Sequence, residues 1–251
     1  MKTKTAIITG GSRGLGRDMA ISLAKNGVDI IFSYHSNSEK AQEVINEIRT
    51  LGQDAKAFPF DANKPSSGQE FIKNARTYLE EKNGNSNFDF LINNAGTGTF
   101  NLVANTSEEQ FNEMMNVHLK SAYFMTQAAL AYLNDGGRII NISSGLARFS
   151  LPGMSAYAIM KGAIEVFTRY LAKELGQRKI TANTVAPGAI ATDFAGGSNK
   201  DADKAKMIAS ITALGRVGEA EDIGGVVAFL CSEDAGWVNG QRIEVSGGML
   251  V

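Results

Sequence analysis

Short runs of apolar, often β-branched residues alternate with longer helical patterns along the whole sequence. This alternation predicts parallel strands, because each return to the same edge of a sheet needs a crossover that a helix usually supplies. We therefore expect an α/β fold with a mainly parallel, doubly wound sheet and helices on both faces. Strands are predicted over Ala6–Ile8, Val28–Ser33, Ala55–Phe60, Phe88–Asn93, Arg138–Ser143, Ile180–Val185 and Arg242–Val245.

Patterns with apolar residues at three- and four-residue spacing predict helices between these strands. The predicted helices are Gly14–Asn26, Ser38–Leu51, Glu108–Leu133, Ser155–Leu175, Ala202–Ala213 and Ala220–Cys231. The polar segment Glu80–Asn87 suggests a domain boundary, but the strand and helix pattern resumes directly after it. We interpret it as an extended loop from a helix into a strand, and we expect residues 1–251 to form one domain.

Composition excludes several functional classes. The chain has 251 residues, is 43% hydrophobic and 20% charged, and carries a net charge of −1. These values favour a packed protein without a broad attraction to nucleic acid or to a membrane. With one cysteine (Cys231, expected in the core) and two distant histidines, neither a disulfide nor a metal site is expected. No signal peptide or transmembrane pattern is present, so we expect a cytoplasmic protein.

A glycine-rich loop, Thr9 to Gly16, follows the first predicted strand directly and opens the first predicted helix. Glycines at such a place let the backbone approach a pyrophosphate, whose charge is stabilised by the N-terminus of the helix. An ordinary turn between strand and helix is the alternative. The spacing, Gly10-x3-Gly14-x-Gly16, also differs from the G-x-G-x-x-G of most dinucleotide-binding dehydrogenases.

An ordered set of motifs from Lys4 to Gly248 resembles the classical short-chain dehydrogenase/reductase family. The set comprises Thr9-Gly10-x3-Gly14-x-Gly16, Asp61, Asn93-Asn94-Ala95-Gly96, Asn116, Ser144, Tyr157-x3-Lys161 and Pro187-Gly188-x-Ile190-x-Thr192. The resemblance implies a single Rossmann-type domain with a cofactor half over about residues 1–145 and a catalytic and substrate half over about 146–251. It also implies a homotetramer.

Tyr157 and Lys161 lie four positions apart on a predicted helix, so their side chains share one face. A free phenol has a pKa of about 10 and is a weak catalyst at neutral pH. A nearby ammonium and a cationic nicotinamide both favour the phenolate and are expected to lower the pKa of Tyr157. An isolated pair with this spacing would be an ordinary contact on a helix surface.

The resemblance implies a role for each member of a tetrad. Tyr157 exchanges a proton with the carbonyl or alcohol oxygen, Ser144 orients that oxygen, and Lys161 binds the nicotinamide ribose. Asn116 interrupts its helix and holds a water molecule that links Lys161 to solvent. Ser143 is expected to point to the opposite face of its strand, and His118 has no matching role and is expected to be structural.

The resemblance also implies the cofactor contacts. They are Gly10, Ser12, Arg13, Gly14, Leu15, Gly16, Ser33, Tyr34, His35, Asp61, Ala62, Asn94, Ala95, Gly96, Tyr157, Lys161, Pro187, Gly188, Ile190 and Thr192. Enzymes that prefer NAD carry an acidic residue at the end of the second strand. Tyr34 occupies that position, and Arg13 supplies a cation for a 2′-phosphate, so the predicted cofactor is NADP(H).

Three functions remain open at this stage. The first is an NADPH-dependent reduction of a ketone, with Phe149, Leu151, Met154 and Phe194 as an apolar wall and the segment from Thr192 to Leu214 as a mobile lid. The second is a 3-oxoacyl-acyl-carrier-protein reductase, with Arg178 as a contact for an acidic carrier. The third is a non-catalytic nucleotide-binding protein, which the complete set of tetrad residues disfavours.

Overall fold

A computed structural model describes residues 3–64 and 66–251. Its seven strands form one sheet, in which every neighbouring pair is parallel. The spatial order is β3-β2-β1-β4-β5-β6-β7, so the α/β prediction is confirmed. The strands are β1 (Thr5–Ile8), β2 (Asp29–Tyr34), β3 (Ala55–Pro59), β4 (Phe88–Asn93), β5 (Leu133–Ile142), β6 (Thr181–Pro187) and β7 (Arg242–Val245).

Helices cover both faces of the sheet, because alternate side chains of each strand point to opposite sides. Ala6 and Ile8 of β1 pack in one core with α1, α2 and α8, whereas Ile7 packs in a second core with α3, α5 and α6. The helices are α1 (Gly14–Lys25), α2 (Ser38–Thr50), α3 (Ser66–Asn83), α4 (Glu108–Met115), α5 (Ser121–Ala129), α6 (Ser155–Glu174), α7 (Ala202–Ser210) and α8 (Glu221–Cys231).

Strand order reverses between β1 and β4, which are neighbours in space although β2 and β3 separate them in sequence. In open parallel sheets of this kind, a ligand binds in the crevice at the carboxyl ends of the strands next to such a reversal. The loops that follow β1, β4, β5 and β6 meet at this crevice, so the fold brings most of the predicted site residues to one edge.

Three regions differ from the sequence prediction. No helix is predicted over residues 66–83, where α3 buries four apolar side chains, Phe71, Ile72, Ala75 and Leu79, among many polar residues, and the predicted loop 80–87 begins after Asn83. Strand β5 begins at Leu133, five residues before its predicted start at Arg138. The long helix predicted over 108–133 is broken into α4, a five-residue π-helical segment (Asn116–Lys120) and α5. None of the helices in the described ranges combines the length and hydropathy needed to cross a bilayer.

Candidate active site

The loop after β1 folds against β2 and leaves no room for a side chain at Gly11 or Gly16. Gly10 has a φ of +72° and donates its N–H to Ser33 Oγ at 2.9 Å, while Gly11 donates to the Ser33 carbonyl at 2.8 Å. A Cβ on Gly16 would lie 2.0 Å from the Gly10 carbonyl oxygen. The loop ends at the N-terminus of α1, whose first turn has no acidic residue. This backbone cradle therefore fits a pyrophosphate.

Thr9 and Asn94 join this loop to the loop after β4. Thr9 Oγ1 accepts hydrogen bonds from the backbone N–H groups of Asn94 and Ala95, both at 2.9 Å. The Asn94 amide donates in return to the carbonyls of Thr9 and Gly10 at 2.9 and 3.2 Å. Asn94 thus holds the glycine loop in place through the backbone. Thr9 was quoted in the sequence motif but was not among the predicted contacts.

The residues predicted to surround the adenosine end lie at the carboxyl ends of β2 and β3. Ser33 is buried and supports the glycine loop, whereas His35 is exposed with its Nε2 4.0 Å from Asp61 Oδ1. Tyr34 and Ala62 are half-buried against the two cores. Ser12, Arg13 and Leu15 follow β1 and lie in the same crevice. Arg13 is exposed and belongs to none of the salt bridges found among the described residues.

The loop after β6 closes the crevice from the other side. Gly188 donates its N–H to the Val245 carbonyl at 3.1 Å, and Ile190 forms an isolated parallel bridge with Gly218. Thr192 lies beside the glycine loop, because a Cβ on Gly14 would be 3.5 Å from Thr192 Cβ. Pro187 to Thr192 and the start of α1 therefore face each other across the space expected for the nicotinamide.

Tyr157 and Lys161 lie on the buried face of α6, as their spacing predicts. Lys161 Nζ is 5.5 Å from the centre of the Tyr157 ring and donates to the Ile142 carbonyl at 2.7 Å. Burial lowers the pKa of Lys161 to about 8. Burial also raises the pKa of Tyr157 to about 12, although its hydrogen bond with Ser144 acts in the opposite direction. In the protein without cofactor, desolvation of the phenolate outweighs the contact with Ser144, and the lowering expected from a cationic nicotinamide stays a prediction.

The hydroxyl groups of Ser143 and Ser144 have different hydrogen-bond partners. Ser144 Oγ accepts a hydrogen bond from the Leu146 N–H at 3.2 Å and lies next to the Tyr157 hydroxyl. Ser143 Oγ donates to Glu165 Oε1 at 2.8 Å. Arg242 of β7 bonds the same Glu165 oxygen at 2.7 Å and the Ser144 carbonyl at 3.3 Å, so β7 fixes the backbone of the predicted catalytic serine.

The interruption expected at Asn116 is present, whereas its role in holding a water molecule that links Lys161 to solvent stays a prediction. Asn116 begins the π-helical segment, and its amide donates to Asn63 Oδ1 at 3.3 Å. His118 lies against α6 instead, with its ring centre 4.9 Å from that of Tyr157. Asn116 and His118 are two positions apart, which corresponds to roughly half a helical turn, so their side chains cannot both face α6.

His118 is fully enclosed, and its surroundings define its protonation. Its Nε2 lies 2.7 Å from the Thr97 carbonyl, which only accepts hydrogen bonds, so Nε2 carries the proton. Burial first, and the Lys161 charge second, lower the pKa of His118 to about 3. A Cβ on Gly96 would lie 2.9 Å from His118 Cε1. The glycine of Asn93-Asn94-Ala95-Gly96 therefore makes room for a neutral imidazole.

An apolar wall surrounds the exposed side of Tyr157. The Phe194 ring centre is 5.8 Å from that of Tyr157, and Met154 packs against the cluster that contains Tyr157. Leu151 is exposed, and Phe149 contacts Gly145, where a Cβ would be 2.7 Å from its ring. Phe100, which the sequence analysis did not select, extends this wall with 74% of its surface exposed.

Arg178 lies away from this wall, near the start of β5, and its contact with an acidic carrier stays a prediction. Its guanidinium pairs with Asp135 at 2.8 Å and donates to the carbonyls of Leu130 and Leu133. Leu133 begins β5, whereas the site lies after Ile142, where β5 ends. Leu133 pairs with Phe88 and Asn141 with Asn93, so at about 3.3 Å per residue these two ends of the sheet are roughly 20 Å apart.

Comparisons with known proteins agree with this geometry. A family model described as "Enoyl-(Acyl carrier protein) reductase" matches residues 10–250. The "Hydroxynaphthalene reductase-like protein Arp2" of Metarhizium brunneum is 36% identical over 98% of this chain and 94% of its own length. A "Short chain dehydrogenase/reductase" of Cryptosporiopsis sp. is 35% identical over 98% of this chain and 95% of its own.

Solved structures of similar fold are also reductases. The angucycline C-6 ketoreductase LanV, crystallised with bound NADP, superimposes with a TM-score of 0.94 at 36% identity and covers 98% of this chain and 95% of its own. The reductase LugOII, which catalyses a keto-reduction, has a TM-score of 0.94 at 36% identity, with 99% and 98% of the two chains covered. Since sequence, fold and site geometry all agree, the chain belongs to the short-chain dehydrogenase/reductase family.

Proposed function

We propose that this protein is an oxidoreductase that transfers a hydride from NADPH to a ketone, with Tyr157 as the proton donor. One observation carries the proposal: Tyr157, Ser144 and Lys161 converge at the same sheet edge as a backbone cradle that fits a pyrophosphate. Neither a cradle alone nor a tyrosine and lysine pair alone would distinguish reduction from nucleotide binding.

Charge around the adenosine end supports NADPH. The end of β2 carries Tyr34 and no carboxylate, while Arg13 is exposed at the start of α1. A carboxylate at Tyr34 would repel a 2′-phosphate, whereas a guanidinium forms strong, charge-assisted hydrogen bonds with one. Relatives with the same fold have been crystallised with NADP or NADPH bound. When bound, this cofactor supplies the hydride.

The groups around the Tyr157 hydroxyl support its proposed role as the proton donor. With a pKa of about 12, Tyr157 is protonated at neutral pH and is ready to donate to the carbonyl oxygen as negative charge develops there. Ser144 bonds the same hydroxyl and orients the substrate oxygen towards it. The ammonium of Lys161 then stabilises the phenolate that remains after the proton has moved.

The apolar wall supports an apolar ketone as substrate. Phe194 contacts Tyr157 and is exposed, as are Phe100 and Leu151, and such surfaces bury the rings or acyl chains of small ligands. Relatives are named as a hydroxynaphthalene reductase-like protein and an angucycline C-6 ketoreductase, and fused-ring ketones would suit the same kind of wall. Since Arg178 lies at the opposite edge of the sheet, a carrier-bound 3-oxoacyl substrate has less support.

Exposed apolar side chains on α5 and α6 support the homotetramer that the resemblance implies. Ile159, Val166 and Tyr170 lie on one face of α6, beside Tyr123 and Phe124 of α5, and all five are exposed. A contiguous apolar helix face of this size is typical of a subunit interface. We infer that α5 and α6 pair with the same helices of a second copy.

A substrate panel monitored by NADPH absorbance tests the proposed function. It contains fused-ring aromatic ketones, simple ketones, 3-oxoacyl thioesters with and without a carrier protein, and sugars. We expect turnover with the aromatic or apolar ketones and no gain from the carrier protein. Rates that require the carrier would replace the proposal with the acyl-carrier reductase, and tight NADPH binding without turnover of any ketone would favour the non-catalytic alternative.

A further inference from the structure

A small enclosed cavity lies behind Lys161, between β4, β5, the π-helical segment and α6. Its volume is about 10 Å³, which is the space that one water molecule occupies. Its lining includes the side chains of Asn93, His118, Ser121 and Lys161. A cavity of this size stays empty when it is apolar and binds water when it is polar.

Two buried hydrogen-bond acceptors of this lining have no partner among the described residues. Both N–H groups of the Asn93 amide donate, one to Thr126 Oγ1 at 2.9 Å and one to Asn141 Oδ1 at 2.8 Å. The amide oxygen, Asn93 Oδ1, therefore has no hydrogen-bond partner in the described part of the chain. His118 Nε2 donates to the Thr97 carbonyl, so His118 Nδ1 is the second unpaired acceptor. Leaving both unsatisfied would destabilise the folded protein.

Besides these two acceptors, the cavity is lined by a hydrogen-bond donor, the ammonium of Lys161. Its ammonium has three N–H groups, and the Ile142 carbonyl accepts only one of them, at 2.7 Å. A water molecule has two protons to donate and accepts through its oxygen. One water can therefore satisfy both acceptors and accept from Lys161 at the same time.

We propose that one water molecule binds in this cavity and that His118 is a positioning residue that holds it against Lys161. The inference rests on the proposed function for its effect on catalysis, whereas the water site itself does not. By accepting from the ammonium, the water keeps Lys161 charged although it is buried. The charged Lys161 in turn favours the phenolate of Tyr157.

His118 performs this role only as a neutral ring, because a proton on Nδ1 would remove the acceptor and place a second cation beside Lys161. Few other groups can disturb the arrangement. Among the residues that line the cavity, only His118 and Lys161 titrate. Tyr157 faces both of them from α6, and Glu165 lies one turn further along α6, bonded to Ser143 and Arg242.

The first test is a high-resolution crystal structure of the protein without cofactor. We expect a water molecule within hydrogen-bond distance of His118 Nδ1, Asn93 Oδ1 and Lys161 Nζ, and an empty cavity would overturn the proposal. This test needs no turnover, so it remains decisive even if the ketone reductase proposal fails.

The second test compares H118F, H118Q and the packing control I164V, since Ile164 lines the same cavity with apolar atoms only. H118F keeps a ring against Tyr157 but has no acceptor. We expect its kcat to fall about tenfold, with the KM for NADPH unchanged, as expected for a lost hydrogen bond to a charged group. We also expect the apparent pKa of alcohol oxidation to rise by about one unit, because a less charged Lys161 stabilises the phenolate less.

H118Q restores an acceptor oxygen and should recover part of both changes, and I164V should affect the melting temperature without moving the pH profile. An H118F enzyme with an unchanged pH profile, or an I164V enzyme with the same shift, would show that His118 only fills space. If H118F does not fold, the pH profile of H118Q and the crystal structure decide the question.

Discussion

The imidazole of His118 stands edge-on to the phenol ring of Tyr157, with ring centres 4.9 Å apart and ring planes at 87°. Edge-to-face contacts of this kind contribute about 0.5–1.5 kcal/mol and fix the orientation of both rings. The contact involves the body of the tyrosine ring, whereas the hydroxyl bonds with Ser144. Orientation and proton donation by Tyr157 therefore depend on different neighbours and can be separated by mutation.

Y157F should lower the rate of ketone reduction roughly 10²–10⁴-fold, because it removes the proton donor and keeps the ring contact with His118. The affinity for NADPH, measured by fluorescence titration, should stay within about twofold because the fold is preserved. Y132F is the matched control, since Tyr132 lies just before β5 at the opposite edge of the sheet. Near-normal turnover of Y157F would rule out its assigned role.

NADPH should be preferred over NADH by about tenfold to a hundredfold in kcat/KM, since one charge-assisted hydrogen bond contributes about 1.5–3 kcal/mol. R13A should remove most of this preference. R17A is the control, because Arg17 pairs with Glu47 on the surface. Y34D should reverse the preference by repelling the 2′-phosphate and accepting from the NADH ribose. Equal use of both cofactors by the unmodified protein would contradict this interpretation of Arg13.

Amides of residues 193–207 should exchange hydrogen fastest among those around the crevice and should become protected when NADPH binds. Ala195, Gly196 and Gly197 all have left-handed backbone conformations there, and few apolar contacts anchor the segment. Leu214, the last residue of the predicted lid, donates its N–H to the Gly247 carbonyl at 3.0 Å, so we expect the mobile part to end before it, and its amide provides an internal control. Equal exchange with and without NADPH would argue against a mobile lid.

Glu244 should contribute pH-dependent stability. Hydrogen bonds from Arg148, and further ones from Arg242 and Ser246, lower its pKa to about 2 despite partial burial. A lowered carboxyl pKa stabilises the fold above the ordinary value of about 4.3, and this stabilisation is lost as the pH falls towards 2.

E244Q should therefore reduce the free energy of unfolding by about 2 kcal/mol at pH 7, with a smaller difference at pH 3. Urea titrations at both pH values measure the effect. E43Q, at an exposed site on α2, should behave like the unmodified protein. A difference between E244Q and the unmodified protein that does not change with pH would contradict the assigned pKa.

V166E should dissociate the proposed tetramer, because a carboxylate on the exposed apolar face of α6 cannot be paired across an apolar interface. Sedimentation velocity should then detect monomers or dimers. Q42E adds the same charge on α2 and should leave the assembly intact. If the unmodified protein is already a monomer at micromolar concentration, the inferred pairing of α5 and α6 is wrong.

Much of the fold follows from local sequence. The strand cores are continuous apolar runs, the glycine loop follows β1 directly, and Tyr157 and Lys161 share a face through simple helical geometry. Helix α3 escapes this reasoning because its four buried apolar residues stand among many polar ones. The single domain, its two halves and the cytoplasmic location stay predictions from the sequence.

The parts of the site that sequence reasoning missed depend on tertiary structure. Whether Asn116 or His118 faces α6 is decided inside a π-helical segment, whose register no residue spacing reveals. The pKa of Tyr157 depends on how completely its hydroxyl is enclosed, and the position of Arg178 depends on the direction of β5. Spacing therefore identifies the chemical groups, but packing determines which of them meet.

The bond between Arg242 and Ser144 joins residues 98 positions apart in the chain. Protein synthesis proceeds at about 5–20 residues per second, so roughly ten seconds separate the appearance of the serine from that of its support. During this interval the nascent polypeptide already contains the complete glycine loop but not the strand that steadies Ser144. A growing chain can thus form its nucleotide-binding loop well before it can catalyse a reduction. We expect reductase activity only after β7 has been synthesised.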